Sequence, residues 1–287
     1  MNYRHAYHAG NFADVVKHII LTRVIAYMQR KDAGFALIDT HAGIGRYDLS
    51  GEQAQKTGEW RGGIGQILAN IDTAPAAVAA LLDDYVRIVA SFNSAETLET
   101  YPGSPRVAHR MRRAQDRIAA MELHEADFKH LKREFAGAHG IKVFHLDGWT
   151  GLKAQLPPKE RRGVVLIDPP FESRDEFAQI AASTEEALKR FATGTYCLWY
   201  PLKNRAAVAD FKRQLIALEL PHLIAELTIK APARDDTPGL FGTGMAIINP
   251  PYVLEAELKT IFGWLTPVLE VSPGVGTWHV EHRGPAL

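Results

Sequence analysis

Asp168, Pro169, Pro170 and Phe171 stand in a row after the apolar run Val164-Val165-Leu166-Ile167. An acid, two stiff residues and an aromatic ring make a corner suited to a planar amine. The lone pair of such an amine, adenine N6 for example, is delocalised into the ring and is a poor nucleophile. A carboxylate and a fixed carbonyl that accept its two N–H groups draw it toward tetrahedral geometry. Asp168 supplies the first acceptor and the Pro169 carbonyl the second. Each proline fixes φ near −65°, and Phe171 offers a face to a base turned out of its stack. Position matters too, because ligands of open parallel sheets bind beyond the carboxyl ends of the strands. Asp and Pro are also common turn residues, so the corner needs partners elsewhere in the chain.

Three partners present themselves. Asp39-Thr40-His41-Ala42-Gly43-Ile44-Gly45 follows the apolar run from Phe35, and its glycines let backbone approach a ligand closely. The full G-x-G-x-x-G fingerprint fails there, because its last position is Asp48, and fails again from Gly63, where that position is Leu68. A nicotinamide enzyme is therefore disfavoured. Glu122 ends the run Ala119 to Leu123, where nucleotide-binding α/β folds place an acid for ribose hydroxyls about 20 residues beyond the glycine turn. It follows Gly45 by 77 residues, and by 24 once the 53 residues 49–101 are set aside. Asp147-Gly148 follows the run ending at Leu146, a place from which an acid reaches the amine of an adenine ring. A second tetrapeptide, Asn249-Pro250-Pro251-Tyr252, also matches the corner pattern, but only 35 residues remain after it. It reads as a structural strand end.

The elements that must carry these groups follow from periodicity. Val15, Val16, Ile19, Ile20, Val24 and Ile25 recur at helical spacing between Asp14 and Arg30, with Asp14 or Asn11 as cap. Strand-like runs at 35–39, 119–123, 141–146, 163–167 and 194–200 alternate with helical stretches near 124–137, 174–191 and 204–218, which implies βαβ units. His222 to Lys230 and Thr243 to Asn249 add two strands joined by a Pro-, Asp- and Gly-rich loop, read as an antiparallel hairpin at the sheet edge. The expected fold is α/β: a Rossmann-like, seven-stranded, mostly parallel sheet of the class I methyltransferase type. Residues 49–101 break the alternation with helical pieces near 62–71 and 75–91 and no convincing strand. They are expected to be a small helical insertion after the first strand, within a domain made of 1–48 and 102–287.

Composition narrows the function by exclusion. Lys plus Arg equals Asp plus Glu at 33 each, so a nucleic acid would be held by a local patch and not by a global field. Local candidates are Arg106, Arg110, Arg112, Arg113 and Arg117, expected on one helix, then Lys159, Arg161 and Arg162, then Arg4, His5 and His8. The single cysteine, Cys197, allows neither an intrachain disulfide nor a Cys-based zinc site, and the 12 histidines lack metal-ligand spacing. No metal is expected. The N-terminus has no signal-peptide core and no run of 18 apolar residues occurs, so the chain is expected to be cytoplasmic.

Taken together, these residues resemble the RlmJ family of bacterial 23S ribosomal RNA adenine-N6 methyltransferases. The likeness runs through Tyr3-Arg4-His5-Ala6-Tyr7-His8-Ala9-Gly10-Asn11 and Ala13-Asp14-Val15-Val16-Lys17-His18. It continues through Asp39 to Gly43, Tyr101 to Pro105, Glu122-Leu123-His124, Asp147-Gly148, Asp168 to Glu172 and Gly239 to Met245. It thus spans nearly the whole chain, and the N-terminal block is more specific than the tetrapeptide. Phe171 stands where many relatives have Tyr, which keeps the stacking and gives up a hydroxyl.

The resemblance implies S-adenosylmethionine as cofactor, with His18, His41, Gly43, Ser104, Glu122, Asp147, Gly148 and Asp168 around it. It implies Asp168, Pro169 and Phe171 at the reacting amine, and Tyr3 and Lys17 near the entering substrate. The implied reaction is direct in-line methyl transfer to N6 of a flipped adenine, adenine 2030 by the family's designation, in RNA free of the assembled subunit. A monomer is favoured, although the sequence does not fix the oligomeric state. A DNA adenine-N6 or cytosine-N4 amino-methyltransferase shares the tetrapeptide. A catalytically inactive RNA-binding protein is the reading of another class, opposed by the intact Asp168.

Overall fold

The computed structural model describes residues 4–94, 96–173, 175–231 and 239–284. Its strands are β1 (Ala36–Asp39), β2 (Arg46–Asp48), β3 (Thr100–Pro102), β4 (Arg117–Glu122), β5 (Ile141–His145), β6 (Gly163–Ile167), β7 (Thr195–Leu202), β8 (His222–Thr228), β9 (Gly242–Ile248) and β10 (Thr277–Arg283). Its helices are α1 (Phe12–Met28), α2 (Glu52–Thr57), α3 (Ile64–Asn70), α4 (Ala76–Ala90), α5 (Ser104–Met111), α6 (Glu125–Glu134), α7 (Gly148–Gln155), α8 (Glu176–Arg190), α9 (Arg205–Ile216) and α10 (Leu254–Leu269).

Eight of the described strands form one sheet in the order β10-β8-β9-β7-β6-β1-β4-β5. β1, β4, β5, β6 and β7 are parallel, while β9 runs antiparallel between β7 and β8. This is the Rossmann-like class I architecture with one strand more than the seven expected. The extra strand, β10, pairs antiparallel with β8 from Thr277↔Thr228 to Arg283↔His222, so the β8–β9 pair is not the sheet edge. Residues 46–48 and 100–102 pair as a separate two-stranded ribbon. The all-buried β6, Gly163–Ile167, is the continuous apolar run that a doubly covered parallel strand needs.

α1 begins two residues before the expected start, because Asn11 caps it: its Oδ1 accepts from the backbone N–H of Ala13 and Asp14, both at 3.0 Å. Fourteen of its 17 residues are buried, so it is a core helix and not a half-exposed one. α4 and α10 pack on it, and Ile64, Ile67, Val78, Leu82 and Tyr85 from the 49–101 stretch share one core with Val16, Ile20, Phe262 and Leu265. The opposite face of the sheet packs on α8 and α9 through Ile167, Ile180, Leu198 and Phe211. No described helix is long and apolar enough to cross a membrane.

Candidate active site

A cleft of about 1670 Å³ opens over the carboxyl ends of the parallel strands. His18, His41, Gly43, Ser104, Glu122, Asp147, Gly148, Asp168, Pro169 and Phe171 all line it, as does Lys17. Residues from six separate stretches of sequence thus meet in one space. Tyr3, the remaining expectation, lies outside the described residues.

The glycine turn after β1 is tied to the acid after β4. The Glu122 Oε2 accepts from the Gly43 N–H at 2.9 Å and its Oε1 from the His124 N–H at 2.7 Å. Burial pushes the Glu122 carboxyl above the usual range. Gly43 has φ +61°, and a Cβ there would lie 2.1 Å from the Tyr47 hydroxyl. A Cβ on Gly148 would lie 2.3 Å from the Thr40 carbonyl, so both positions require glycine. Asp147 caps α7, its Oδ2 accepting from the Thr150 N–H at 2.9 Å.

Below the turn sits Asp39, fully buried, whose Oδ2 accepts from the Ser104 hydroxyl at 2.7 Å. Burial lifts its carboxyl to about 7, and its Oδ1 has no partner. His18 faces Tyr101, its Nδ1 2.8 Å from the phenol oxygen, with Tyr85 a further 3.1 Å beyond Tyr101. Burial lowers His18 to about 3 and His41 to about 4, so both rings are neutral at physiological pH. The His18 Nε2 is buried without a partner.

At the corner itself, the Asp168 Oδ2 lies 2.5 Å from the Lys17 ammonium, which also meets the Asp14 Oδ1 at 2.7 Å. The Asp14 Oδ2 in turn accepts from the Gly10 N–H at 3.0 Å and lies 2.9 Å from His5 Nε2. Burial alone would lower Lys17, but Asp14 and Asp168 overcome it and hold the ammonium charged. Burial would likewise raise Asp14, yet His5 and Lys17 hold it well below the carboxylate range. A buried ammonium between two carboxylates keeps its charge, because removing either partner strands a charge in a dry site.

Phe171 has φ +53°, an uncommon conformation for an aromatic residue, and it follows directly on the two prolines. Phe177 and Trp199 meet its ring edge-to-face at 4.9 and 5.5 Å and hold it in place. Trp199 also stands 6.0 Å from the Lys17 ammonium.

Several residues grouped by their place in the sequence part company in the fold. Asn249-Pro250-Pro251-Tyr252 ends an antiparallel strand, so it lies at the other end of the sheet from the cleft. Arg112, Arg113 and Arg117 are not on a helix with Arg106 and Arg110, since α5 stops at Met111 and Arg117 opens β4. Arg106, Arg113 and Arg117 are paired with Glu134, Asp116 and Glu160. Lys159, Arg161 and Arg162 precede β6, and so also lie opposite the cleft. Sequence reading missed Asp14, Tyr101 and Trp199 as supports. Only the His5–Asp14–Lys17–His18 cluster of polar residues in an apolar helix entry hinted at them. Among the described residues, no group of three or more His, Cys, Asp or Glu side chains could hold a metal ion.

The donor set suits a polar nucleoside-bearing amino acid. A buried His18 Nε2 without a partner, two glycines closed to side chains and an acid ending β4 line this cleft and fit S-adenosylmethionine. With the strand order, this cleft defines a class I methyltransferase that draws its methyl group from that cofactor. The chain belongs to the family described as ribosomal RNA large subunit methyltransferase D, RlmJ, which it matches over residues 32–283. It is 41% identical to "Ribosomal RNA large subunit methyltransferase J" of Haemophilus influenzae over 288 residues, 99% of each chain. It is 39% identical to the Escherichia coli K12 protein of the same name, over 96% of each chain. A crystal structure of a Legionella pneumophila protein, 36% identical, superposes with a TM-score of 0.87 over 96% of this chain and 98% of that one.

Proposed function

We propose that the protein methylates N6 of an adenine in 23S ribosomal RNA at the Asp168 corner, on RNA not yet assembled into the subunit. One observation carries this reading: the acid-proline-proline-aromatic corner lines the same cleft as Gly43, Glu122 and Asp147.

Bound there, S-adenosylmethionine supplies an electrophilic methyl on a sulfonium. Glu122 takes the ribose hydroxyls, while Gly43 and Gly148 give backbone access to the nucleoside. His18, Ser104, His41 and Asp147 line the remainder. Phe171 stacks on the flipped adenine. With Oδ2 held by Lys17, Asp168 presents Oδ1 to one N6–H, and the Pro169 carbonyl accepts the other. The nitrogen lone pair is thereby turned out of the ring plane. Asp168 acts mainly by position and polarisation; the methylated ammonium is acidic and sheds its proton readily, to Asp168 or to water. Lys17 stands on the substrate side.

In the same reading, residues 49–101 are a helical insertion in a domain of 1–48 and 102–287, and the enzyme works as a cytoplasmic monomer. Purified protein with S-adenosylmethionine, offered naked ribosomal RNA and duplex DNA side by side, should place one methyl on an RNA adenine. Transfer to the duplex alone would overturn the proposal.

A further inference from the structure

The cleft has two ends of unlike chemistry. Glu122, the last residue of β4, and Asp147, after β5, line one end. Trp199, Lys203, Ile229, Lys230 and Leu240 line the other, over β7, β9 and β8. A polyanion laid over the first end meets carboxylates, and like charges at short range repel by more than water alone would allow. The lysines of the cleft therefore decide where a polyanion can lie. Lys17 is committed to Asp14 and Asp168. Neither Lys203 nor Lys230 makes a salt bridge among the described residues, and Lys203 draws the Glu176 carboxyl down only against a larger upward push from burial.

Sheet register fixes where these two lysines stand. Leu202 at the end of β7 and Thr228 at the end of β8 both pair with Gly242 of β9. Their backbones are therefore two strand spacings apart, about 10 Å, and both chains continue upward into the cleft rim. Three acids share this end: Glu172, Glu176 and Glu270. Glu270 is turned to its own loop, accepting from the Gly274 and Gly276 N–H groups at 2.8 Å. Burial lifts the Glu176 carboxyl to about 7, which reduces its charge at neutral pH. Val271, 60% exposed, adds an apolar surface beside Ile229 and Leu240.

We propose that Lys203 and Lys230 form a phosphate subsite for the RNA strand flanking the target adenosine, so that RNA enters over β7, β9 and β8. The proposal rests on the methyl-transfer reading of the same cleft. The lysines hold the backbone, and the apolar wall of Ile229, Leu240 and Val271 receives the sugar face of a neighbouring nucleotide. Phosphate contacts of this kind position the strand and carry no sequence information.

The test is equilibrium binding of a naked large-subunit ribosomal RNA fragment to the full chain, across a salt series. Each single-strand phosphate contact contributes about 0.7 to the log–log salt slope. The Lys203→Gln and Lys230→Gln double variant should lose about 1.4 of that slope, so that wild-type affinity falls about seven-fold more than the variant's between roughly 50 and 200 mM salt. The Lys203→Arg and Lys230→Arg pair should restore it, and Lys159→Gln, at the far end of the sheet, should bind as wild type does. Calorimetric binding of S-adenosylmethionine reports folding. Should the double variant lose it, each single Gln variant is read instead, with about 0.7 of slope expected from each. Unchanged slopes in the Gln variants, or the same loss from Lys159→Gln, overturn the subsite. Wild type that binds RNA but transfers no methyl would sink the methyl-transfer reading and leave this binding result standing.

Discussion

The chain carries two Pro-Pro-aromatic corners on the two strands that flank β7. One follows β6, which runs parallel to β7; the other follows β9, which runs antiparallel. Strand direction alone sends them to opposite ends of the sheet. Asp168 there meets a buried lysine and lines a large cleft. Asn249 instead stitches the sheet floor: its Nδ2 donates to the Ala192 and Gly194 carbonyls at 2.8 Å, and its carbonyl accepts from the Thr195 hydroxyl at 3.0 Å. The aromatic residues diverge in the same way. Phe171 is packed between Phe177 and Trp199, whereas Tyr252 is 70% exposed and leans on Tyr27. A tetrapeptide therefore acquires chemistry from the end of the sheet on which it lands, and not from its letters.

This contrast sets the expected outcomes. Asp168→Ala should lower single-turnover methyl transfer to ribosomal RNA by about 10²–10³-fold or more, the loss typical of a preorganised polar group at a reacting centre. Cofactor binding should remain, and Asn249→Ala should transfer at close to the wild-type rate. A fast Asp168→Ala enzyme would erase the distinction between the corners. Phe171→Ala should reduce kcat/KM by about 5–150-fold, from a stacking contribution of about 1–3 kcal/mol, while Tyr252→Ala leaves it unchanged. Stability is touched at both corners, since Asp168→Ala leaves the buried Lys17 with Asp14 alone. Asn249→Ala leaves two carbonyls short of a donor and puts a Cβ-bearing residue without a local side-chain bond at φ +51°. It should cost about 1–3 kcal/mol in urea unfolding.

A separate effect is one of pH. Asp39, below the cleft, titrates near 7 in the fold against an ordinary 3.8. Between those values the folded chain holds a proton that the unfolded chain has lost. The stability this contributes is complete below about pH 4, declines as pH rises, and is gone above about 7. Asp39→Asn should lack this decline, seen as a widening advantage in Tm over wild type from pH 4 to 7. Asn249→Ala should track the wild-type pH trend in parallel. A wild-type trend that Asp39→Asn reproduces would show that the acid is not titrating there.

Much of the sheet was legible because buried strands announce themselves as apolar runs. The glycine turn, Glu122 and the Asp168 corner were legible because their chemistry sits at strand ends. β10 was not: as an edge strand with one neighbour, Thr277 to Arg283 shows mostly polar residues and buries only Val280. α10 was hidden by Pro267 within its last turn and by the hairpin expected before it. β2 and β3, three residues each, are too short for alternation to register. The largest omission was energetic. Lys17 and Asp168 are 151 residues apart, and no local pattern links a lysine in an apolar helix to an acid after a distant strand. The helical pieces of 49–101 were readable from periodicity, but their sharing one core with α1 and α10 depends on tertiary packing.

That ion pair also reaches into the chain's birth. Helix α1 leaves the ribosome with apolar residues on nearly every side and a lysine among them, while its partner strands do not yet exist. At about 5–20 residues per second, the 151 residues to Asp168 take on the order of ten to thirty seconds to make. Throughout that interval the segment cannot bury its oily surface against the finished sheet, and its cation has only Asp14, on its own first turn, as a partner. Nascent chains of this protein should therefore lean on holding chaperones early, and should be released once β6 and its corner emerge.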